Sequence, residues 1–464
     1  MLRSTLFPAV IAAAATVAVS AFAGPGTATA PPPAAAASTP APKLPVTQYQ
    51  LKNGLTVLLS RDQRLPVVAV AIRYMVGSSY ERKRRSGFAH LFEHLMFQGS
   101  EHYDHEYFTP FEPIGGEVNG STTQDRTHFF ERVPDNFLEL ALWMESDRME
   151  YLLPVLDQAK LDNQRDVVKN ERRQRYENQP YGMAWIYLGR MLFPPGHPYH
   201  HSVIGSHADL TAASLSDVKS FFHEYYVPAN AILTIAGDFK PEQAKALVEK
   251  YFGSIPGGQR ASLPKVPPTA LTKIVQETHA DDVKLPRVYL AWHSPPLYKK
   301  GDAELDLFGS VLSDGKTSRL YKPLVYDKKI AKDVNAYQVS MRLGSFFVVQ
   351  ATAAPGVSVD KLSTELLSTL KQALAKPPSK DEMTRAINGY KKSYYQRLEG
   401  VVSRAATLAT YYQFTGNANY LDQDLGRYTH ATSAHVADAV QHYVHLDRYV
   451  RLDIVPGSKA GGGK

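Results

Sequence analysis

The sequence contains no cysteine, and this absence excludes several classes of chemistry. Disulfide bonds, thiolate metal sites and cysteine nucleophiles all need a thiol, and so does a lipoprotein anchor attached through cysteine. A metal site in this chain must therefore be built from histidine and carboxylate ligands.

Long apolar runs are also scarce. Residues 6–22 form one run that is rich in Ala and Val, but it is too short for a comfortable membrane span. Arg3 precedes this run, and Ala21-Phe22-Ala23 closes it with a small-x-small cleavage pattern. We therefore expect residues 1–23 to be a signal peptide, with a retained N-terminal anchor as the alternative. The mature chain is then expected to be periplasmic or secreted, and no other segment is predicted to span a membrane.

The charge of the chain gives little indication of a nucleic-acid partner. The 464 residues carry a formal net charge of +7, and their hydrophobic and charged fractions are those of an ordinary globular protein. Lysine and arginine are spread along the sequence instead of forming one basic segment. This distribution indicates a generic basic surface and not a nucleic-acid interface.

Composition divides the chain into segments. Residues 24–42 consist only of Ala, Pro, Thr, Ser and Gly, and they are predicted to form a disordered linker because they offer little apolar surface to bury. A stretch rich in Gly, Pro and Ser at 253–268 is predicted to separate an N-terminal domain at 43–252 from a C-terminal domain at 269–457. Residues 458–464 are expected to be a flexible tail.

The order of predicted elements recurs across the two halves. Residues 221–227 lead into a strand that ends near Gly237, and residues 440–444 lead into a strand that ends near Gly457. We therefore predict an α+β fold made of two homologous α/β halves, each a mostly antiparallel sheet packed with helices.

One stretch, residues 87–97, carries a metal-binding pattern. At about 100° per residue, His90, Glu93 and His94 leave one face of a helix, while apolar residues cover most of the rest. Two imidazoles one turn apart can hold one zinc ion, and a neighbouring carboxylate can take a proton from a metal-bound water. This is the H-x-x-E-H order of the inverted zincins. Ser86 is predicted to cap the N-terminus of this helix.

A catalytic zinc site needs a third protein ligand. Residues 153–178 are predicted to be mostly one long helix, and Glu171 lies on it, seventy-six intervening residues beyond His94. Spacing alone does not select Glu171, because Asp166 and Glu177 lie on the same predicted helix. Six other histidines are predicted to serve loops or packing instead of binding metal: His102, His105, His128, His197, His200 and His201.

The sequence resembles the pitrilysin, insulysin and mitochondrial processing peptidase family of inverted-zincin metallopeptidases, and it is most similar to the branch with chains of about this length. The resemblance includes H-x-x-E-H and a glutamate some seventy-six residues later, and it continues through several further segments: Gly115-Gly116, residues 119–123, His197-Pro198-Tyr199, Ile204-Gly205, residues 226–230, residues 236–239 and residues 318–321. It covers nearly the whole chain that follows the predicted linker.

This resemblance implies both a function and a site. The ligands of one Zn²⁺ per chain would be His90, His94 and Glu171, with Glu93 as the general base of a zinc-dependent endopeptidase. A substrate peptide would pair with an edge strand formed by Asn119, Gly120, Ser121, Thr122 and Thr123. The substrates would be peptides or unfolded polypeptide segments. The C-terminal domain would be an inactive homologous copy, because it lacks H-x-x-E-H.

The chain departs from the family pattern at three positions. Gln164 stands where the family usually has a second glutamate on the helix of the distal ligand. Val325 and Lys332 fall at the places of the arginine and tyrosine that hold the substrate carbonyl, although Tyr326 is adjacent to the first of these. We therefore expect this chain to be the zinc-bearing subunit of a dimer, with a homologous second subunit that supplies Arg and Tyr, or a homodimer. The alternative is a non-catalytic peptide-binding or assembly subunit that retains the peptidase fold.

Overall fold

The computed structural model describes residues 44–266 and 269–457, and its first half is one sheet packed with helices. The strands of this half are β1 (Thr47–Gln50), β2 (Thr56–Arg61), β3 (Val67–Tyr74), β4 (Glu117–Thr122), β5 (Thr127–Pro134) and β6 (Ala231–Gly237). The helices are α1 (Phe88–Leu95), α2 (Leu138–Val155), α3 (Gln158–Arg172), α4 (Ala184–Leu192), α5 (His207–Ala212), α6 (Leu215–Tyr225) and α7 (Pro241–Phe252).

The second half contains a second sheet with its own helices. Its strands are β7 (Val275–Asp281), β8 (Arg287–Ser294), β9 (Ala331–Val339), β10 (Ser345–Ala353) and β11 (Val450–Pro456). Its helices are α8 (Asp302–Ser313), α9 (Val359–Leu374), α10 (Lys380–Glu399), α11 (Val401–Thr415), α12 (Leu421–Thr429) and α13 (Ser433–Tyr443). Residues 256–266, within the predicted boundary, form neither helix nor strand.

The two sheets share one topology. The first has the order β1-β2-β6-β3-β5-β4, and the second has the order β7-β11-β8-β10-β9. In each sheet one pair is parallel, β2 with β6 and β7 with β11, and the other pairs are antiparallel. Removing β1 makes the two orders equivalent strand by strand, so that β9 is the counterpart of β4 and α8 of α1. The predicted fold of two homologous α/β halves is thereby confirmed.

The two halves exchange helices. Helix α4 of the first half packs on β8 and β11 of the second sheet, where Leu188 lies among Tyr289, Ala291 and Leu452. Helix α11 of the second half packs on β3 and β6 of the first sheet, where Leu408 is fully buried. Because apolar surface of each half is covered by the other, this exchange joins the halves into one compact unit.

Some local predictions differ from the structure. Most of the helix predicted at 153–178 is present, because α3 continues directly into a π-helical turn at Arg173–Glu177. Its start differs, since the chain turns at Leu156 and α3 begins after Asp157 as its N-cap. The signal peptide, linker and tail predicted at 1–23, 24–42 and 458–464 lie outside the described residues. Within 44–266 and 269–457, no helix has the length and apolar character needed to cross a membrane.

Candidate metal centre

The N-terminus of helix α1 is formed by a glycine and capped by a buried carboxylate. Gly87 has a φ of 93°, in the left-handed region that favours glycine, and it precedes the first helical residue. The Glu81 carboxylate accepts hydrogen bonds from the backbone N–H groups of Gly87 and Ala89 at 2.9 and 2.8 Å. Ser86 is therefore not the cap, and its hydroxyl donates to the Asp209 carboxylate instead. A carboxylate six residues before Gly87 thus takes the place of the adjacent serine as the cap.

The apolar back of α1 fixes the direction of its polar face. Leu91, Phe92 and Leu95 are buried in the core of the first half. The imidazole rings of His90 and His94 consequently project together on the other side, with ring centroids 4.8 Å apart. This is the one-turn spacing that H-x-x-E-H predicts for a helix.

Helix α3 brings Glu171 to the two imidazoles. Its Oε2 lies 3.2 Å from His94 Nε2 and 3.7 Å from His90 Nε2. Among the residues that the structure describes, His90, His94 and Glu171 form the one group whose ligand atoms all lie close enough for a metal ion, within 4.8 Å of one another. Asp166 is exposed and near Lys169, and Glu177 pairs with Arg172 and His207. Sequence spacing leaves open which carboxylate is the third ligand, and the geometry favours Glu171.

The charges around the cluster favour the forms that bind a metal. Burial, with help from the charges of His94 and Arg175, lowers the pKa of His90 to about 4, so that imidazole is neutral near pH 7. Burial opposes ionisation of Glu171, but the hydrogen bond from His94 and the neighbouring positive charges outweigh it and lower the pKa of that carboxyl. Neutral imidazole and ionised carboxylate are the ligand states.

Arg175 pairs with the other oxygen of Glu171, the candidate third ligand. Its Nη1 lies 2.8 Å from Glu171 Oε1, while Glu171 Oε2 faces the imidazoles. Arg175 is on a π-helical turn, Arg173–Glu177, that follows α3 directly. Such widened turns often occur at functional sites. The i, i+4 spacing of Glu171 and Arg175 is the sequence signal that could have identified this pair.

Glu93 faces strand β4. Its Oε2 accepts a hydrogen bond of 2.5 Å from the Thr122 hydroxyl, and a Cβ added at Gly120 would lie 3.1 Å from its Oε1. Burial raises the pKa of Glu93, and the Thr122 hydrogen bond opposes that rise. A buried carboxylate with a raised pKa beside two imidazoles is suited to accept and return a proton.

Strand β4 lies at the edge of the first sheet. It pairs with β5 on one side and has no strand neighbour on the other among the described residues. Four of the predicted substrate-binding residues, Asn119, Gly120, Ser121 and Thr122, are on this strand, and Thr123 lies in the turn that follows. Residues alternate across a strand, so Gly120 and Thr122 face Glu93. The backbone of an extended peptide could pair with the open edge.

The six histidines that were predicted to serve loops or packing lie outside the candidate metal centre. His197 Nδ1 accepts a backbone hydrogen bond from Tyr199, and His201 Nε2 lies 2.8 Å from Glu81 Oε2. His102 pairs with Asp147, and His128 lies across from Ser121 on β5. His105 and His200 are likewise outside the group that could hold a metal ion.

The departures from the family pattern occupy defined places. Gln164 is buried on α3, two turns before Glu171. Val325 is half-buried against the second core, and Tyr326 next to it is 68% exposed. Lys332 is exposed near the start of β9, where the register with β10 shifts.

The counterpart of α1 in the second half has lost the pattern. Helix α8 also begins after a glycine with positive φ, 97° at Gly301 against 93° at Gly87. Counted from these glycines, three other residues stand where the motif residues are in the first half: Glu304, Leu307 and Phe308. Because Leu307 and Phe308 are packed in the second core, this helix offers no equivalent group of ligands.

The donor set suits one metal in particular. Two imidazole nitrogens and one carboxylate oxygen leave room for a water in the fourth position, which is the arrangement of a catalytic zinc site. The half-open surroundings agree with this, since the side chain of His94 is 23% exposed.

Comparison with protein families gives two matches along the chain. Residues 56–184 match the model described as "Insulinase (Peptidase family M16)". Residues 212–390 match the model described as "Peptidase M16 inactive domain". The first match contains all three residues of the candidate metal centre.

Individual proteins agree with these matches. The chain is 30% identical over 369 residues to the zinc protease PqqE of Helicobacter pylori, an alignment that covers 78% of this chain and 82% of that protein. It is 23% identical over 371 residues to "Probable mitochondrial-processing peptidase subunit beta, mitochondrial" of Arabidopsis thaliana, covering 78% and 68%. A crystal structure of a protease from Helicobacter pylori superposes with a TM-score of 0.82 at 25% identity, covering 89% of this chain and 100% of that one.

Proposed function

Because this chain belongs to the insulinase family of peptidases, family M16, we propose that it is a zinc-dependent endopeptidase. The observation that carries the proposal is the convergence of His90, His94 and Glu171, with Glu93 on the same helix as the histidines. Two relatives of this chain are named as zinc proteases, which supports the proposal. The substrates we propose are peptides or unfolded polypeptide segments.

In this proposal the three ligands would hold one Zn²⁺, which, when bound, supplies Lewis-acid polarisation of a carbonyl and lowers the pKa of water. Glu93 Oε1 then takes the proton of the attacking water and delivers it to the amine that leaves. Thr122 holds Glu93 Oε2 and so fixes the orientation of the carboxylate. Arg175 holds Glu171 by its Oε1.

We propose that the substrate binds by adding a strand to β4. Main-chain pairing with Asn119, Gly120, Ser121 and Thr122 would lay an extended peptide beside Glu93, with Thr123 at the end of the groove. Gly120 gives the peptide close access, because any side chain there would press on Glu93 and on the Phe97 ring. Recognition through the backbone depends little on sequence, which suits unfolded substrates.

We propose further that the active form is a dimer. Val325 has no side-chain donor, and Lys332 offers an ammonium group in place of a phenol. Neither replaces its counterpart in the family pattern directly, so a homologous second subunit would supply the arginine and tyrosine. A relative named as a mitochondrial processing peptidase subunit is consistent with such a division. On the pattern of residues 1–23, we propose that the chain is exported to the periplasm or secreted.

Metal content and peptide cleavage together test the proposal. We expect the purified chain to bind one zinc ion and to cleave a quenched fluorescent peptide slowly alone and faster with a homologous partner. Glu93→Gln should retain zinc and lose cleavage in both conditions. If zinc is bound and neither variant cleaves with or without the partner, the chain is instead a non-catalytic peptide-binding or assembly subunit.

A further inference from the structure

A recess lies beside the candidate metal centre. It has a volume of about 590 Å³, within the range of small-ligand pockets. One wall is the π-helical turn with Arg175, together with the start of α4 at Trp185. The opposite wall is the face of the second sheet, with Arg287 and Tyr289 on β8 and Tyr337 on β9. The recess thus lies between the two halves of the chain.

The loop that forms the floor of this recess is held in a demanding conformation. Tyr181 has a φ of 61°, a region that residues other than glycine rarely adopt. Its backbone N–H donates to Asp281 Oδ2 at 2.7 Å, and its hydroxyl donates to the Leu285 carbonyl at 2.7 Å. A Cβ at Gly182 would lie 2.3 Å from the Tyr176 carbonyl oxygen. Strain that is fixed by contacts from both halves is typical of binding sites.

The lining of the recess is basic and aromatic. Arg175 and Arg287 contribute positive charge, and none of the described residues that line the recess is acidic. Tyrosine hydroxyls are neutral near pH 7, and burial raises the pKa of Tyr181, Tyr289 and Tyr337 further above that pH. An anion that enters would therefore meet two guanidinium groups and no carboxylate of the lining.

The two arginines keep donors available. Arg287 stacks over the Tyr181 ring at 3.7 Å, and its Nε donates to the Thr352 hydroxyl. That hydroxyl in turn donates to Asp333, so a threonine stands between Arg287 and this carboxylate. Arg175 is 70% exposed and uses Nη1 for Glu171. The planar guanidinium is well suited to bind a carboxylate through paired hydrogen bonds.

The recess and strand β4 contact the candidate metal centre through different residues. Strand β4 reaches it through Thr122 and Glu93, and the recess reaches it through Arg175 and Glu171. Strand β4 and the recess therefore border the same cluster of candidate site residues.

We propose that this recess is a substrate subsite that binds a carboxylate of the peptide, with aromatic side chains around it. The carboxylate comes either from an Asp or Glu side chain near the scissile bond or from the C-terminus of a short peptide. This inference rests on the proposed peptidase function, but the binding experiment below does not require cleavage.

Peptide binding to the Glu93→Gln variant tests the subsite directly. Trp185 is 39% exposed at the recess, so its fluorescence reports whether a peptide is bound there. The Trp185→Phe variant shows how much of the fluorescence change comes from Trp185. Three peptides without Trp or Tyr are compared: an amidated peptide with one Glu, its Gln counterpart, and the Gln peptide with a free C-terminus. We expect at least one carboxylate peptide to bind about tenfold more tightly than the amidated Gln peptide. Equal affinities for all three would overturn the proposal.

Variants of the lining separate binding from folding. Arg287→Gln should remove most of the preference, and Gln350→Glu should remove it by placing a negative charge in the recess while leaving Arg287 intact. Arg385→Gln, an exposed arginine on α10, is the matched control and should keep the full preference. A preference that survives both lining variants in folded protein excludes the recess as its origin.

The outcomes also distinguish the two proposals. If wild type binds zinc and cleaves, but carboxylate peptides show no advantage in binding, the subsite is wrong and the peptidase function stands. If carboxylate peptides bind and perturb Trp185, but neither the chain alone nor the chain with its partner cleaves them, the subsite stands and the peptidase function is wrong.

Discussion

The Thr122 hydroxyl donates a 2.5 Å hydrogen bond to Glu93 Oε2, and this contact joins the edge strand to the candidate general base. Replacing Thr122 with Val keeps the shape of the side chain and removes the donor. We expect kcat to fall about 10-fold to 100-fold, because hydrogen bonds to charged groups contribute roughly 1.5–3 kcal/mol. Steady-state kinetics with a quenched peptide, in the presence of the partner subunit, measures the change.

Thr122→Ser is the matched control for that loss. It restores the hydroxyl, so kcat should return to within about threefold of wild type. Zinc content should be equal in all three proteins, since Thr122 contacts the base and not a ligand. A kcat for Thr122→Val that equals that of wild type would show that this contact does not orient Glu93.

Removal of a ligand should abolish metal binding by the isolated chain. Glu171→Gln and His94→Ala each delete one of three donors, and we expect bound zinc to fall from about one ion per chain to near zero. In wild type, zinc at about 1,000 times its Kd should stabilise the folded state by roughly 4 kcal/mol. Calorimetry with and without chelator, together with metal analysis, gives both quantities.

His105→Ala is the control for ligand removal, because His105 is exposed and outside the cluster. It should retain the full zinc content and the same thermal shift. Two zinc ions per wild-type chain would contradict the assignment, since the counterpart helix α8 carries Leu307 and Phe308 in the core.

Acid should weaken a specific ion pair in the second half. Arg319 donates hydrogen bonds to both oxygens of Glu382, and these bonds, against the opposing effect of burial, lower the pKa of Glu382 to about 2 from 4.5. The folded state therefore favours the ionised carboxyl. Its stabilising effect is complete above about pH 4.5 and is lost as the pH falls toward 2.

We expect Glu382→Gln to reduce the free energy of unfolding by about 1–2 kcal/mol at pH 7, a value that allows for solvent screening of a partly exposed pair. The difference from wild type should shrink between pH 4.5 and the acid limit at which the protein still folds. Urea unfolding at several pH values measures it. Glu242→Gln, in an exposed pair with Lys245, should change stability by less than about 0.5 kcal/mol at every pH.

Periodicity and composition predict much of the fold, because they report local forces. The one-face pattern of His90, Glu93 and His94 predicts α1, and the recurring element order predicts two equivalent halves. The exchange of α4 and α11 was not predictable from the same patterns, since an apolar helix face does not reveal which sheet it covers. The turn at Leu156, which separates α2 from α3, was not predicted.

In the candidate site, too, local sequence patterns predict some features, and others depend on tertiary contacts. The candidate ligands follow from a motif and a resemblance, whereas the capping of α1 by Glu81 depends on the loop that precedes the helix. Ser86 satisfied the local rule for an N-cap, but its hydroxyl is used by Asp209. Arg175 was within reach of sequence reasoning, at i, i+4 from Glu171. The recess at Trp185 and Arg287 was not, because its walls lie about a hundred residues apart.

The exchanged helix α11 should couple the stability of the two halves. Leu408→Ala removes a fully buried side chain that packs with Leu58 and Ile232 of the first sheet, and we expect a loss of about 2–4 kcal/mol. Leu263→Ala, at a position that is 45% exposed, should have little effect. Denaturant unfolding measures both. Unfolding of Leu408→Ala in two separate steps would indicate that the exchange is what makes the halves cooperative.

The proposed need for a partner can be tested within this chain. Val325→Arg with Lys332→Tyr introduces the residue types that the family pattern has at these places. If missing donors to the substrate carbonyl limit the isolated chain, the double variant should cleave peptides about 10-fold or more faster without a partner, because one such donor contributes roughly 2.7–4 kcal/mol to a transition state. Equal zinc content in both proteins is the required control.

The position of the introduced arginine also matters. Val325 is half-buried, whereas Tyr326 beside it is 68% exposed, so an alignment shifted by one residue would call for Tyr326→Arg instead. Comparing the two arginine variants, each with Lys332→Tyr, decides between these positions, since only the one whose guanidinium reaches the carbonyl should lower KM and raise kcat. If neither variant gains activity while the partner subunit still activates wild type, the partner acts through groups other than these two.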